Sequence, residues 1–258
     1  MKARIFIVTF FFLTSIAHAE LKKETIEYKD GGATLEGYFV YDDAIEGKRP
    51  GIIVVHDWMG LGPYGNGRAE QLARLGYAAL AVDIYGKGVR PKSQDEAAQQ
   101  AGLYKGDRDL LRKRAKAGLD VLKAQNVVDP QRLAAIGYCF GGTTVLEMAR
   151  SGMDLAGAVS FHGGLATPMP AERGDVKSKV LVLHGADDPY ESPAEVADFQ
   201  KEMNLAGVDW QMVYYSGAVH SFTRKDAGDD NSKGAAYNER ADKRSWEAMK
   251  AFFVEIFK

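Results

Sequence analysis

The stretch that most constrains this chain is Ala134-Ala135-Ile136-Gly137-Tyr138-Cys139-Phe140-Gly141-Gly142-Thr143. A short apolar run ends in Gly-x-Cys-x-Gly, and a segment fit for a helix, Thr143 to Arg150, follows at once. The pattern predicts a sharp strand-to-helix turn with a nucleophile at its apex. Side chains at Gly137 or Gly141 would collide with such a turn, whose apex residue is held in a strained conformation. A helix beginning just after Cys139 aims its free N–H groups and positive dipole end at the sulfur, favouring thiolate over thiol. Gly-x-Cys-x-Gly alone is equally compatible with a buried structural Cys beside a tight turn, so the rest of the chain decides.

Around this turn, apolar runs alternate with helical patterns. Lys22–Tyr28 and Thr34–Tyr41 alternate apolar and polar residues about Asp30-Gly31-Gly32, which predicts an antiparallel hairpin. Continuous apolar runs suited to strands covered on both faces occur at Gly51–His56, Tyr77–Val82, Arg132–Gly137, Leu155–Phe161, Lys179–His184 and Asp209–Tyr215. Helices are expected at Asn66–Leu75 (with Gly76 as its stop), Ser93–Leu103, Arg108–Gln125, Pro193–Ala206 and Glu239–Phe257. This alternation predicts an α/β fold, a doubly wound and mostly parallel sheet with helices on both faces. In such sheets ligands bind at the carboxyl ends of the strands. The apolar side of the last helix (Trp246, Met249, Phe252, Phe253, Ile256) is assigned to the core, and a monomer is expected.

Composition bounds the rest. A chain of 258 residues, 46% hydrophobic and 26% charged, suffices for one large domain. A net charge of -2 gives no electrostatic case for nucleic acid. Lys2 and Arg4 precede the apolar run Ile5–Ile16, and Ala17-His18-Ala19 supplies a small-x-small cleavage pattern. Residues 1–19 are therefore expected to be a signal peptide, and 20–258 a single periplasmic or secreted domain with no membrane span after cleavage. Cys139 is the sole cysteine, so no internal disulfide can form. A lone thiol on an export route is a liability unless its reactivity is used.

Two carboxylates, Asp187 and Asp188, follow the run ending at His184-Gly185, and His220 follows the last strand. Nucleophile, acid, histidine is the chain order of α/β-hydrolase triads, with Cys where Ser usually stands. His220 would take the thiol proton and the acid would fix its tautomer. His56, His162 and His184 also close strands and are expected to orient loops by hydrogen bonds. No His-x3-His or Cys/His spacing suggests a metal, and Gly31-Gly32 and Gly60–Gly67 match neither phosphate-loop nor dinucleotide patterns, so no metal or cofactor is expected.

The blocks Val55-His56-Asp57-Trp58-Met59-Gly60-Leu61, Gly76–Gly86, Gly137-Tyr138-Cys139-Phe140-Gly141-Gly142, His184–Pro189 and His220-Ser221-Phe222 resemble the dienelactone hydrolase family. The resemblance implies an α/β-hydrolase fold and cofactor-independent hydrolysis of small ester or lactone bonds through an acyl-enzyme. It implies a triad of Cys139, Asp188 and His220, the acid lying three positions after Gly185. The oxyanion hole it implies is the backbone N–H groups of Trp58 and Phe140. Asp57 stands where dienelactone-cleaving members have a Glu beside the resting Cys. Of the two Arg residues with which those members bind a substrate carboxylate, Arg224 matches one, and Lys87 occupies the place of the other. Lysine keeps the charge and loses the bidentate fork, so an anionic substrate stays open. Asp57, Tyr85, Lys87 and Arg224 are thus candidates for substrate binding or thiol modulation, with loop capping, packing or solvated charge as the alternatives. Two other functions remain open, a non-catalytic ligand-binding protein and a thiol redox-responsive protein.

Overall fold

A computed structural model describes residues 20–258 of the chain. The expected signal peptide, 1–19, lies outside the described residues. Eight strands form one sheet: β1 (Leu21–Asp30), β2 (Ala33–Asp42), β3 (Arg49–Val55), β4 (Ala78–Val82), β5 (Val128–Tyr138), β6 (Gly157–Phe161), β7 (Lys179–Gly185) and β8 (Trp210–Tyr215). Their order is β1-β2-β4-β3-β5-β6-β7-β8. The β1–β2 hairpin and the β2–β4 pair are antiparallel, and β4 through β8 run parallel. Among the described residues no helix is long and apolar enough to cross a membrane.

The helices cover both faces because alternate strand residues bury opposite ways. Ile52 and Val54 of β3 pack toward α1 (Pro63–Arg74) and α6 (Glu239–Ile256), meeting Leu72, Met249 and Phe253. Ile53 and Val55 point to the other face, against Leu111, Ala115 and Leu122 of α3 (Arg108–Lys123) and Val145 of α4 (Phe140–Arg150). Farther along, α5 (Pro193–Ala206) lays Phe199 and Met203 over Val180 and Val182. The apolar side of α6 is therefore core, as expected from the sequence. The remaining helix, α2 (Gln94–Gly106), starts at Ser93, whose side chain accepts from the Glu96 N–H.

Several boundaries differ from the sequence reading by one to four residues, the start of β5 most of all. β5 begins at Val128 rather than Arg132, since Val128 and Asp129 pair with Arg49 and Pro50 before a register shift at Pro50/Gly51. Asp129-Pro130 looks like a turn locally, yet a short edge of pairing forms on each side of the irregularity. α4 begins at Phe140, directly after Cys139 as the turn pattern predicts, and takes in Gly141 and Gly142 ahead of the segment Thr143–Arg150. Gly141 and Gly142 are poor helix formers, but the close approach of their neighbours requires them there, as the site shows.

Candidate active site

Cys139 sits between β5 and α4 with φ 54° and ψ −113°, a left-handed conformation that a non-glycine residue adopts only under constraint. Packing supplies the constraint. A Cβ on Gly137 would stand 2.0 Å from the Gly141 carbonyl oxygen, and one on Gly141 would stand 2.2 Å from that of Val55. The first turn of α4 is thus pressed onto the end of β3, and only glycine fits. The Cys139 N–H donates to the Phe161 carbonyl at 3.0 Å and lies 3.1 Å from His162 Nδ1.

Three loops bring together the residues expected of the triad. His220, beyond β8, places Nε2 3.1 Å from Cys139 Sγ. Its Nδ1 lies 2.9 Å from Asp188 Oδ2, at the exit of β7. Asp188 is fixed in turn, its Oδ1 accepting the Tyr190 N–H at 2.9 Å. The neighbouring Asp187 instead accepts the Gly217 N–H and does not reach His220. Burial opposes charge on both partners of the Cys139–His220 pair. For Cys139 the histidine's charge and hydrogen bond outweigh it, holding the thiol below its ordinary pKa. For His220 the sulfur and Asp188 outweigh it, holding the imidazole above its ordinary value. Both shifts favour a thiolate beside an imidazolium.

The remaining histidines set this frame. His162, fully buried at φ 41° and kept neutral by burial, accepts from Cys139 through Nδ1 and bonds Thr223 Oγ1 through Nε2 at 2.7 Å. It thereby ties the turn of the Cys to the segment just past His220. His56, pushed down to about 4 by burial, bridges two strand exits, with Nε2 accepting the Ile84 N–H and Nδ1 2.6 Å from the Asp57 carbonyl. His184 is buried with Nδ1 unpartnered among the described residues, so the loop-orienting hydrogen bond expected of it is not found there.

Among the described residues the N–H groups of Trp58 and Phe140 make no backbone hydrogen bond, one at the β3 exit and one at the start of α4. Tyr85 supports that loop: its hydroxyl donates to the Trp58 carbonyl at 3.1 Å, and its ring packs on Phe140 and His56. It is 5% exposed, so its position is that of a packing residue beneath the loop.

Asp57 lines a neighbouring pocket with Arg224 and does not hydrogen-bond the sulfur. Its Oδ1 accepts the Met59 N–H at 2.8 Å and its Oδ2 pairs with Arg224, while its charge is felt at Cys139 and opposes the thiolate. Arg224 also pairs with Asp226 and lies over the Tyr64 ring. Lys87 is not brought to this cluster. Its side chain is exposed and paired with Glu27 of β1. A cation that lines a pocket with Asp57 and Arg224, beside the triad, is Arg90, which the sequence reading missed. Arg90 bonds Glu36 at 2.5 Å and lies 3.8 Å from Asp83. Lys105 and Glu191, also missed, stand on the other side of the nucleophile; Lys105 favours the thiolate through its charge. No group of metal-ligating side chains occurs among the described residues.

Comparison with known proteins agrees with this architecture. The family profile described as "Dienelactone hydrolase family" matches residues 35–257. Protein usf of Aquifex pyrophilus is 27% identical over 237 residues, covering 90% of this chain and 98% of that protein. A solved structure titled m3DLH superposes with a TM-score of 0.89 at 41% identity, covering 92% of this chain and 99% of that one. A dienelactone hydrolase-like promiscuous phosphotriesterase from metagenomic libraries superposes with a TM-score of 0.87 at 42% identity, covering 92% and 98%. A mostly parallel eight-stranded sheet with a glycine-flanked turn after its fifth strand, matched along nearly the whole chain, places this protein in the dienelactone hydrolase family, ester and lactone hydrolases built on the α/β-hydrolase fold.

Proposed function

We propose that this protein hydrolyses small ester or lactone bonds without a cofactor, with Cys139 as nucleophile, His220 as base and Asp188 as the residue that orients it. The observation that carries this reading is the unbroken line from Cys139 Sγ through His220 to Asp188, with contacts of 3.1 and 2.9 Å. In this reading the thiolate attacks the substrate carbonyl, and the Trp58 and Phe140 N–H groups receive the developing oxyanion. The C–O bond to the leaving group breaks, His220 protonates the departing oxygen, and a thioester on Cys139 remains. For a lactone that oxygen stays attached as a hydroxyl of the acyl group. His220 then takes a proton from water as it attacks the thioester, and collapse returns the acid and the thiolate.

Arg224 and Arg90 line a pocket with Asp57, whose charge reaches Cys139, and this positive charge near the nucleophile supports a substrate with an anionic substituent. Asp57 and Asp226 partly neutralise that charge in the resting site. A second substrate class is supported by the 42% identical phosphotriesterase. With a phosphotriester the same thiolate would attack phosphorus and expel an alkoxide or phenoxide. The reading further places the working protein, a monomer beginning at Glu20, in the periplasm or outside the cell. Mass measurement of protein recovered from the envelope or medium should give a chain starting at Glu20; a chain retaining residues 1–19 contradicts this.

The test of the reaction is turnover of short aryl esters, unsaturated lactones and an aryl phosphotriester by wild type beside Cys139→Ala. Turnover by wild type that falls by at least about a thousandfold in the variant is expected, the scale seen when a nucleophile of this type is removed. Equal rates in both proteins contradict the reading. Stoichiometric ligand binding with no turnover by wild type would favour the binding-protein alternative.

A further inference from the structure

Three residues other than glycine take left-handed backbone conformations among the described residues, and all three stand at this site. They are Cys139, His162, which follows β6, and Ser221, which follows His220. Such conformations persist only where surrounding contacts over-determine them, and they gather where function needs a fixed geometry. His162 connects the other two. Its Nδ1 lies 3.1 Å from the Cys139 nitrogen, and its Nε2 lies 2.7 Å from Thr223 Oγ1, two residues past Ser221. A backbone N–H only donates, so Nδ1 is the acceptor; the neutral ring carries its proton on Nε2 and donates it to Thr223. Neither nitrogen is left to meet substrate, and the side chain is fully buried.

Thr223 is held in turn from a second side. Its hydroxyl oxygen lies 2.6 Å from that of Tyr64, and its carbonyl accepts from Arg68 at 3.0 Å. Arg68 of α1 also bonds Asp242 of α6 at 2.6 Å and lies over the rings of Tyr64, Tyr138 and Trp246. The backbone of His220 is fastened separately, donating to the Gly234 carbonyl and accepting from the Ala236 N–H. Those bonds hold the base to its own loop and do not set its distance from the nucleophile. Outside the reacting pair, His162 is the one side chain among the described residues that hydrogen-bonds both the Cys139 turn and the loop of His220.

We infer that His162 and Thr223 are positioning residues, a brace that sets the separation of Cys139 Sγ from His220 Nε2. The inference rests on the hydrolase reading and adds to it residues that touch neither substrate nor the reacting atoms. The 3.1 Å separation is what lets the imidazole draw off the thiol proton. With the brace cut, the loop of His220 is free to draw back from the sulfur, and proton transfer and charge pairing both weaken with distance. The titratable groups felt at Cys139 are His220, Asp57, Lys105 and Tyr85, and those felt at His162 are His220, Arg68 and Arg224. Substituting Thr223 alters none of them, so a changed ionisation of Cys139 in such a variant reports geometry.

The test is Thr223→Val, which keeps the side-chain shape and removes the hydroxyl, with Thr223→Ala in its place should the valine variant not fold. Two properties are read: turnover of a short aryl ester, and the pH midpoint of Cys139 alkylation by iodoacetamide. In Thr223→Val, kcat should fall about ten- to a hundredfold with KM within about twofold, the scale of a misplaced reacting group. The midpoint should rise by roughly half a unit or more. Thr223→Ser, which restores the hydroxyl, should recover both. His162→Asn suits a left-handed backbone, keeps an acceptor near the Cys139 N–H and gives up the reach to Thr223. It should match Thr223→Val, and the double variant should fall no further than either alone, since both cut one contact. An unmoved midpoint without the Thr223 hydroxyl, a serine variant no better than valine, or losses that multiply in the double variant would overturn the inference. The midpoint is read without substrate, so a shifted midpoint in a protein that turns over no ester would reject hydrolysis and uphold the brace.

Discussion

At Cys139 two influences compete. Burial disfavours the thiolate, and His220, through its charge and hydrogen bond, favours it and prevails. The sign fixes the expected pH dependence. A thiol with a lowered pKa stays ionised below the range where an ordinary cysteine, near about 8.5, has reprotonated. Alkylation of Cys139 by iodoacetamide should therefore have its pH midpoint below that of a free thiol, and the rate should fall only as pH drops through that lowered value. In His220→Ala the midpoint should move upward; an unmoved midpoint would mean that the histidine does not govern the sulfur. At this scale the sequence was legible for groups that end strands. Asp188 was separated from Asp187 only through the resemblance, by the family's spacing from the loop glycine, and the hydrogen bond to His220 falls on Asp188. It was less legible for long cations on loops. Lys87 and Arg90 share one polar loop, and whether either faces the cleft depends on β1, whose Glu27 draws Lys87 away. Lys105 and Glu191 gave no signal at all, because their meeting depends on how α2 and the loop after β7 fold over Gly164.

Elements are held in place by glycines in two distinct ways. Gly141 is required by contact between α4 and β3, where an added Cβ would stand 2.2 Å from a backbone oxygen that cannot swing aside. Gly102 lies within α2 with nothing within 4 Å of its would-be Cβ and no left-handed backbone. Gly141→Ala should fail to give a cooperatively folded protein or lower Tm severely. Gly102→Ala should raise stability by about 0.5–1 kcal/mol in urea unfolding, since alanine loses less backbone freedom in a helix. Similar effects of the two substitutions would contradict the packing described for the turn. The elements themselves were readable from apolar periodicity, and α5 runs over the same residues in sequence pattern and structure, Pro193–Ala206. The start of α4 directly after Cys139 was readable from the turn pattern alone, since Gly141 and Gly142 argue locally against a helix and the approach of β3 and the β6 loop explains them.

At the scale of the whole molecule, one of the two helical layers is held together by buried charge. Glu147 of α4 is fully buried, bonded by Arg112 of α3 at 2.9 and 2.7 Å and by Arg150 at 3.1 Å, and Arg150 also pairs with Glu202 of α5. This network ties three helices on one face, and nothing in the local pattern of α4 marked Glu147 as an inward residue. Glu147→Gln removes one charge and leaves the others buried, so it should cost about 3–5 kcal/mol in urea unfolding; a loss under about 1 kcal/mol, the range of exposed pairs, would show the network to be solvated. The same helix that carries this network also positions the nucleophile, so stability and chemistry share one element. The most direct test of the central claim is the mass of the protein during turnover of a short aryl ester, quenched within the first catalytic cycle. The account predicts an increase equal to one acyl group, located on the peptide containing Cys139 and absent from Cys139→Ala. Turnover by wild type with no adduct at Cys139, or with an adduct on another residue, would contradict it.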